Sequence, residues 1–138
     1  MQILIKLSLF LIVICFICSC KEDSFDGQEY SLEVFDGQWT VSEASSLLGS
    51  RNYIVEISLI KKYSSRINIF DFYKLGTQDS VFAVVTPALA NTISIPDQTL
   101  KDNFIRGTGT IINDNFINLT YYVDDGNEID TVVAKYTR

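Results

Sequence analysis

The stretch Asn52-Tyr53-Ile54-Val55-Glu56-Ile57-Ser58-Leu59-Ile60-Lys61 decides the fold class. Tyr53, Val55, Ile57 and Leu59 fall on one side of an extended chain and Glu56 and Ser58 on the other, which is the period-two alternation of a half-buried strand. Residues 116–124 repeat the pattern, with Ile117, Leu119, Tyr121 and Val123 set against Asn118 and Thr120. Working outward from these two stretches, eight runs rich in Val, Ile, Thr, Tyr and Phe can be drawn: Gln38–Ala44, Asn52–Lys61, Arg66–Lys74, Val81–Thr86, Thr92–Pro96, Phe104–Ile112, Phe116–Asp124 and Glu128–Thr137. Helical periodicity is nearly absent, so the expected class is all-β.

The links between the runs favour sequential antiparallel pairing. Asn113-Asp114-Asn115 and Asp125-Gly126 supply residues that tolerate positive φ in tight turns, and such turns leave no room for crossovers. Eight strands paired in order in about 100 residues predict an up-and-down barrel, because closure removes exposed edges. An antiparallel β-sandwich is the chief competitor. Pro96 cannot donate to a ladder, so its strand is expected to stop there or to run along an edge. Gly107 and Gly109 share one face of the sixth run, which fits a bend at a barrel corner or the close approach of a neighbouring ring. The Ser45–Arg51 link is the least regular, and it reads as a lid-like loop or a single helical turn whose Leu47 and Leu48 cover an open barrel end.

The chain has 138 residues and a net charge of −6, enough for one domain of this kind. That acidic balance argues against nucleic acid and anionic headgroups as partners, since both are repelled at long range. The acidic stretch from Lys21 to Asp36 has little apolar periodicity and reads as a flexible tether, which gives the division 1–19 signal segment, 20–36 tether and 37–138 barrel. No catalytic constellation emerges, and the chain has no histidine, the commonest general base and metal ligand. Asp124, Asp125, Glu128 and Asp130 lack the spacing of a calcium loop. The expectation is a non-enzymatic protein with no cofactor and no metal.

Residues 1–19 carry Lys6 as their only charge, then an apolar stretch from Leu7 to Ile17 about half as long as a spanning helix requires. Ile17-Cys18-Ser19-Cys20 resembles a bacterial lipobox, with Ile17 aliphatic, Ser19 small before the cut and Cys20 bearing the lipid. The resemblance implies removal of Cys15 and Cys18 with the leader and attachment of the mature protein to a membrane through Cys20. Lys21-Glu22-Asp23 directly behind it resembles the surface-export signal of Bacteroidetes lipoproteins, which implies display on the outer face of the outer membrane.

Gly37-Gln38-Trp39, at the start of the first run, resembles the G-x-W signature of lipocalins and related calycin barrels. In those folds the Trp closes one barrel end beneath a basic side chain from near the last strand, for which Arg138 is the first choice and Lys135 the second. The order Ile93-Ser94-Ile95-Pro96-Asp97-Gln98, Gly107-Thr108-Gly109, Leu119-Thr120-Tyr121-Tyr122 and Ala134-Lys135-Tyr136 is similar to small lipocalin-like lipoproteins of the Bacteroidetes. The family implies no settled ligand. As a binding module, the barrel is expected to hold a small apolar or amphipathic molecule against Trp39, Tyr53, Val55 and Ile57. As a structural or interaction module with a filled barrel, it is expected to contact an envelope or host protein through Tyr73, Tyr122 and Phe82.

Overall fold

The computed structural model describes residues 31–60, 63, 65–86 and 91–138. The leader, Cys20 and Lys21-Glu22-Asp23 lie outside the described residues. Eight strands, β1 (Gly37–Ser45), β2 (Gly49–Leu59), β3 (Arg66–Phe70), β4 (Ser80–Thr86), β5 (Thr92–Leu100), β6 (Asn103–Asn113), β7 (Phe116–Asp124) and β8 (Ile129–Thr137), form a closed antiparallel barrel in sequence order. The up-and-down barrel expected from the sequence therefore forms, and the sandwich does not. The seam runs from Thr40↔Thr137 to Ser45↔Val132, so neither β1 nor β8 is left as an edge.

Inward positions alternate with outward ones along each strand. On β1 the inward row is Trp39, Val41, Glu43 and Ser45, and on β2 it is Arg51, Tyr53, Val55 and Ile57. The rest of the core comes from Ile67, Ile69, Val81, Ala83, Val85, Ile93, Ile95, Ile105, Ile111, Ile117, Leu119, Tyr121, Val123, Val132, Ala134 and Tyr136. Gly107 and Gly109 sit opposite Tyr121 and Leu119 on β7. A Cβ at Gly107 would lie 2.5 Å from the Tyr121 Cβ, and one at Gly109 would lie 2.3 Å from the Asn118 carbonyl oxygen and a Leu119 methyl. The missing side chains thus admit the close approach of β7, at the base of the Tyr121 side chain and at the Leu119 methyl.

Several boundaries differ from the sequence reading, each for a local reason. β5 does not stop at Pro96: it continues to Leu100 through a register shift between Ile95 and Gln98, and this bulge accommodates the residue that cannot donate. The Gln98 side chain replaces part of the missing ladder, donating to the Phe82 and Pro96 carbonyls while its Oε1 accepts from the Phe82 N–H. The run Arg66–Lys74 divides, because β3 ends at Phe70 and residues 72–74 wind into a short 3-10 turn. The Ser45–Arg51 link is neither lid nor helical turn. Ser45 pairs with Gly49, so only three residues join the strands, and Leu47 and Leu48 are about half exposed rather than covering an opening.

Of the tether expected over residues 20–36, the part up to residue 30 lies outside the described residues. Its last part packs on the barrel: Leu32–Phe35 forms a 3-10 turn, and the Phe35 side chain is fully buried. Gly37, at φ +108, turns the chain from that segment into β1, a conformation that suits glycine.

Candidate functional site

The two ends of the barrel are closed in different ways. At the end where β1 begins, the Trp39 indole Nε1–H donates to the Phe35 carbonyl at 2.9 Å, and the two rings stack with centroids 6.4 Å apart. The Arg138 guanidinium covers the Trp39 ring at 4.6 Å and also donates to the Asp36 and Val34 carbonyls. Arg138 is therefore the basic side chain over Trp39, whereas Lys135, paired with Ser42 across the seam, points outward. Each polar atom of this closure that is out of water has a partner, and the arrangement reads as structural.

The opposite end, where the β1–β2 hairpin turns, holds the candidate site. Parity along β1 carries Glu43 inward two residues beyond Val41, and its register partner on β2 is Arg51. Glu43 is 3% exposed. Its Oε1 accepts from the Arg51 Nε at 2.7 Å and also meets Nη2, while its Oε2 accepts from both the Tyr53 and the Tyr121 hydroxyls at 2.6 Å. Arg51 also lies 4.3 Å above the Tyr73 ring. Tyr73 in turn donates to Asp130 Oδ2 at 2.6 Å. Asp130, 1% exposed on β8, further accepts from Ser45, Ser46 and the Leu47 N–H.

These contacts set the protonation behaviour. Burial alone would raise the Asp130 carboxyl, but the hydrogen bonds from Ser45, Tyr73, Ser46 and Leu47 outweigh it and hold the group below the usual carboxylate range. Burial, then the hydrogen bond to Glu43, pushes the Tyr53 phenol up, and burial with neighbouring Tyr136 and Tyr53 pushes Tyr121 up as well. Tyr136 is fully buried and likewise raised, first by burial and then by Tyr53 and Glu43. Its hydroxyl has no hydrogen-bond partner, and the Arg51 Nη2 makes no well-angled hydrogen bond. Tyr136 and Tyr53 both pair with Val41, so they flank the same β1 position just below Glu43.

A short plug covers the cluster. Phe72 is fully buried and its ring lies 4.5 Å from that of Tyr121, with Tyr73 edge-on to the same ring. The plug is held in an unfavourable conformation, since Asp71, Tyr73 and Lys74 all have φ near +60° without being glycine. The Asp71 carboxylate accepts from the Gly76 N–H, and Lys101 donates to the Leu75 carbonyl. Tyr73 is consequently no free surface ring, in contrast to the expectation, and Asp71 faces its own turn. Tyr122 is 39% exposed on the outer face, and Phe82 is half-buried there.

Of the residues expected to line the barrel, Trp39, Val55 and Ile57 are buried among the aliphatic core, and Tyr53 joins the polar cluster. Glu43, Arg51 and Tyr121 as a set were missed. Parity was a usable signal for the first two, because Glu43 extends the Trp39 and Val41 row and Arg51 extends the Tyr53 row. No metal-holding group of His, Cys, Asp or Glu side chains occurs among the described residues. Hollows of about 330 and 440 Å³ lie on the outer face of β5–β7, beside Thr108 and Thr120.

No protein-family model and no curated protein matches the chain. Among solved structures, the chain is similar to EF1p2_mFAP2b bound to DFHBI, with a TM-score of 0.54 at 14% identity, covering 78% of this chain and 96% of that one. It is also similar to a redesigned β-barrel, b11L5F_LGL, with a TM-score of 0.52 at 13% identity, covering 78% and 94%. At these identities the likeness is one of fold, an eight-stranded antiparallel barrel shared with a barrel that has a small molecule bound.

Proposed function

We propose that this protein is a lipid-anchored outer-membrane lipoprotein, displayed on the cell exterior, whose barrel binds a small apolar or amphipathic ligand without catalysing a reaction. The observation that carries the binding reading is the Glu43–Arg51–Tyr53–Tyr121 cluster beneath Phe72, with the Tyr136 hydroxyl buried and unpartnered beside it. A buried ion pair is commonly matched or bettered in stability by apolar residues of similar volume, and an unpaired buried hydroxyl costs about 1–3 kcal/mol. A barrel that served only as a filled scaffold has no use for either. That EF1p2_mFAP2b holds DFHBI supports the capacity of this shape for a small molecule. Ile17-Cys18-Ser19-Cys20 and Lys21-Glu22-Asp23 support the anchor and its outward display.

Native mass spectrometry of the protein purified from its own host tests the reading: a retained small molecule supports it. A clean apo mass for both the natural chain and Phe72→Ala would favour a structural or protein-interaction module instead, a reading to which the rings of Trp39, Phe72, Tyr121 and Tyr136 in the interior lend support. Acylation at Cys20 is read from the mass of the N-terminal peptide. Changing Lys21, Glu22 and Asp23 to alanine should shield the protein from external protease on whole cells, and unchanged digestion would overturn the display signal.

A further inference from the structure

The unfilled valences of the buried cluster define the kind of molecule it accepts. A carboxylate offers about four lone-pair sites. Those of Glu43 face the Arg51 Nε, the Arg51 Nη2 and two tyrosine hydroxyls, so no acceptor is left over. What remains without a partner is the Tyr136 hydroxyl, whose proton is free to donate. A ligand ammonium would bring three donors and a full charge to the lone pairs of tyrosine hydroxyls, a poor exchange for its hydration shell. A ligand carboxylate would add a third negative group to Glu43 and Asp130 against the single guanidinium of Arg51, in a setting where low local dielectric strengthens repulsion. An uncharged oxygen acceptor takes the free Tyr136 proton and adds no charge.

The body of the ligand is indicated by the plug. Phe72 places a ring against Tyr121 at 4.5 Å while its backbone neighbours Asp71, Tyr73 and Lys74 sit in left-handed conformations that disfavour side chains. An aromatic guest taking that place keeps the ring contact and lets the strained turn relax. Resting on the binding reading above, we infer that the hairpin end of the barrel takes an uncharged aromatic molecule bearing a carbonyl or ether oxygen, seated on Tyr121 in place of Phe72 with its oxygen on the Tyr136 hydroxyl.

The test uses the full chain in lipid nanodiscs, with amide NMR shifts at Tyr121 and Tyr136 as the readout, so that partition of a probe into lipid is not counted. Four probes share one ring system: 2-acetylnaphthalene, naphthalene, 2-naphthoate and naphthylmethylammonium. The ketone is expected to bind about tenfold more tightly than naphthalene, the equivalent of one modest hydrogen bond, and both ions more weakly than the ketone. Tyr136→Phe should erase the ketone's advantage and leave naphthalene unchanged, and Phe72→Ala should tighten all four. Binding of the four probes without preference, or a preference untouched by Tyr136→Phe, overturns the acceptor inference while the carriage reading stands. Absence of shifts with every probe, in the natural chain and in Phe72→Ala alike, overturns both.

Discussion

The two ends of one barrel show two ways of excluding water. At the Trp39 end, a phenyl ring and a guanidinium both pack on the indole, and the indole N–H and the guanidinium donate to backbone carbonyls. At the hairpin end, the interior holds an ion pair and three tyrosine hydroxyls, and the cover is a turn with three non-glycine residues at positive φ. The first closure is made of interactions that favour one arrangement. The second retains an unpartnered tyrosine hydroxyl and backbone strain, features that gather where a protein meets something else.

The contrast can be broken from either side. Trp39→Ala should cost about 3–5 kcal/mol of unfolding free energy in urea titration, because it removes the largest buried side chain of the closure and its bond to Phe35. A loss below 1 kcal/mol would mean that this end is not a structural closure. Glu43→Ala should cost a similar amount, about 3–5 kcal/mol, by leaving Arg51 uncompensated. The double variant Glu43→Leu with Arg51→Met should recover most of that loss, since well-packed apolar residues commonly match a buried pair. Failure to recover would show that the pair is there for stability, and would remove the asymmetry between the ends.

Alkaline titration reads the hairpin end alone, where the buried tyrosines lie. Tyr121 and Tyr136 hold their protons more firmly in the barrel than in the unfolded chain, whose phenols titrate at about 10. Their contribution is complete below that pH and is lost as the pH climbs above it, at about 1.4 kcal/mol per unit for each tyrosine. Tyr136→Phe should make the alkaline loss shallower, and an unchanged slope would count against its burial. Arg138→Ala should cost about 0.5–2 kcal/mol, the range of a cation on an aromatic face. The smallest effect is expected for Lys74→Gly, a gain of about 0.5 kcal/mol as relief of left-handed strain outweighs glycine's added chain entropy. A loss of stability there would mean that the turn is not strained at Lys74.

The closed barrel was legible because alternation repeats along the strands and the turns are short. The Trp39–Arg138 clasp was legible only through the G-x-W resemblance, since nothing in the spacing of residues 39 and 138 brings them together without the β1–β8 seam. The hairpin-end cluster was harder to see. Charge at position 43 suggests solvent, and only the unbroken parity from Trp39 through Val41 sends it inward. Arg51 was hidden for a different reason: β2 opens with Gly49, Ser50, Arg51 and Asn52, so its apolar alternation begins only at Tyr53. Pro96 misled because a bulge, rather than a strand end, absorbs its missing N–H. The turn at 71–74 could not be read at all, because left-handed conformations in Asp, Tyr and Lys are imposed by the packing of Phe72 and not by local preference.

The seam carries a kinetic consequence. Thr40 pairs with Thr137, so the contact that completes the barrel joins the first strand to the last. Loop-closure entropy must be met before such non-local contacts return any stabilisation, which places a fold of this topology among the slow ones. A chain lacking β8 exposes two unpaired edges and one wall of the interior at once, and it therefore has no folded half to fall back on.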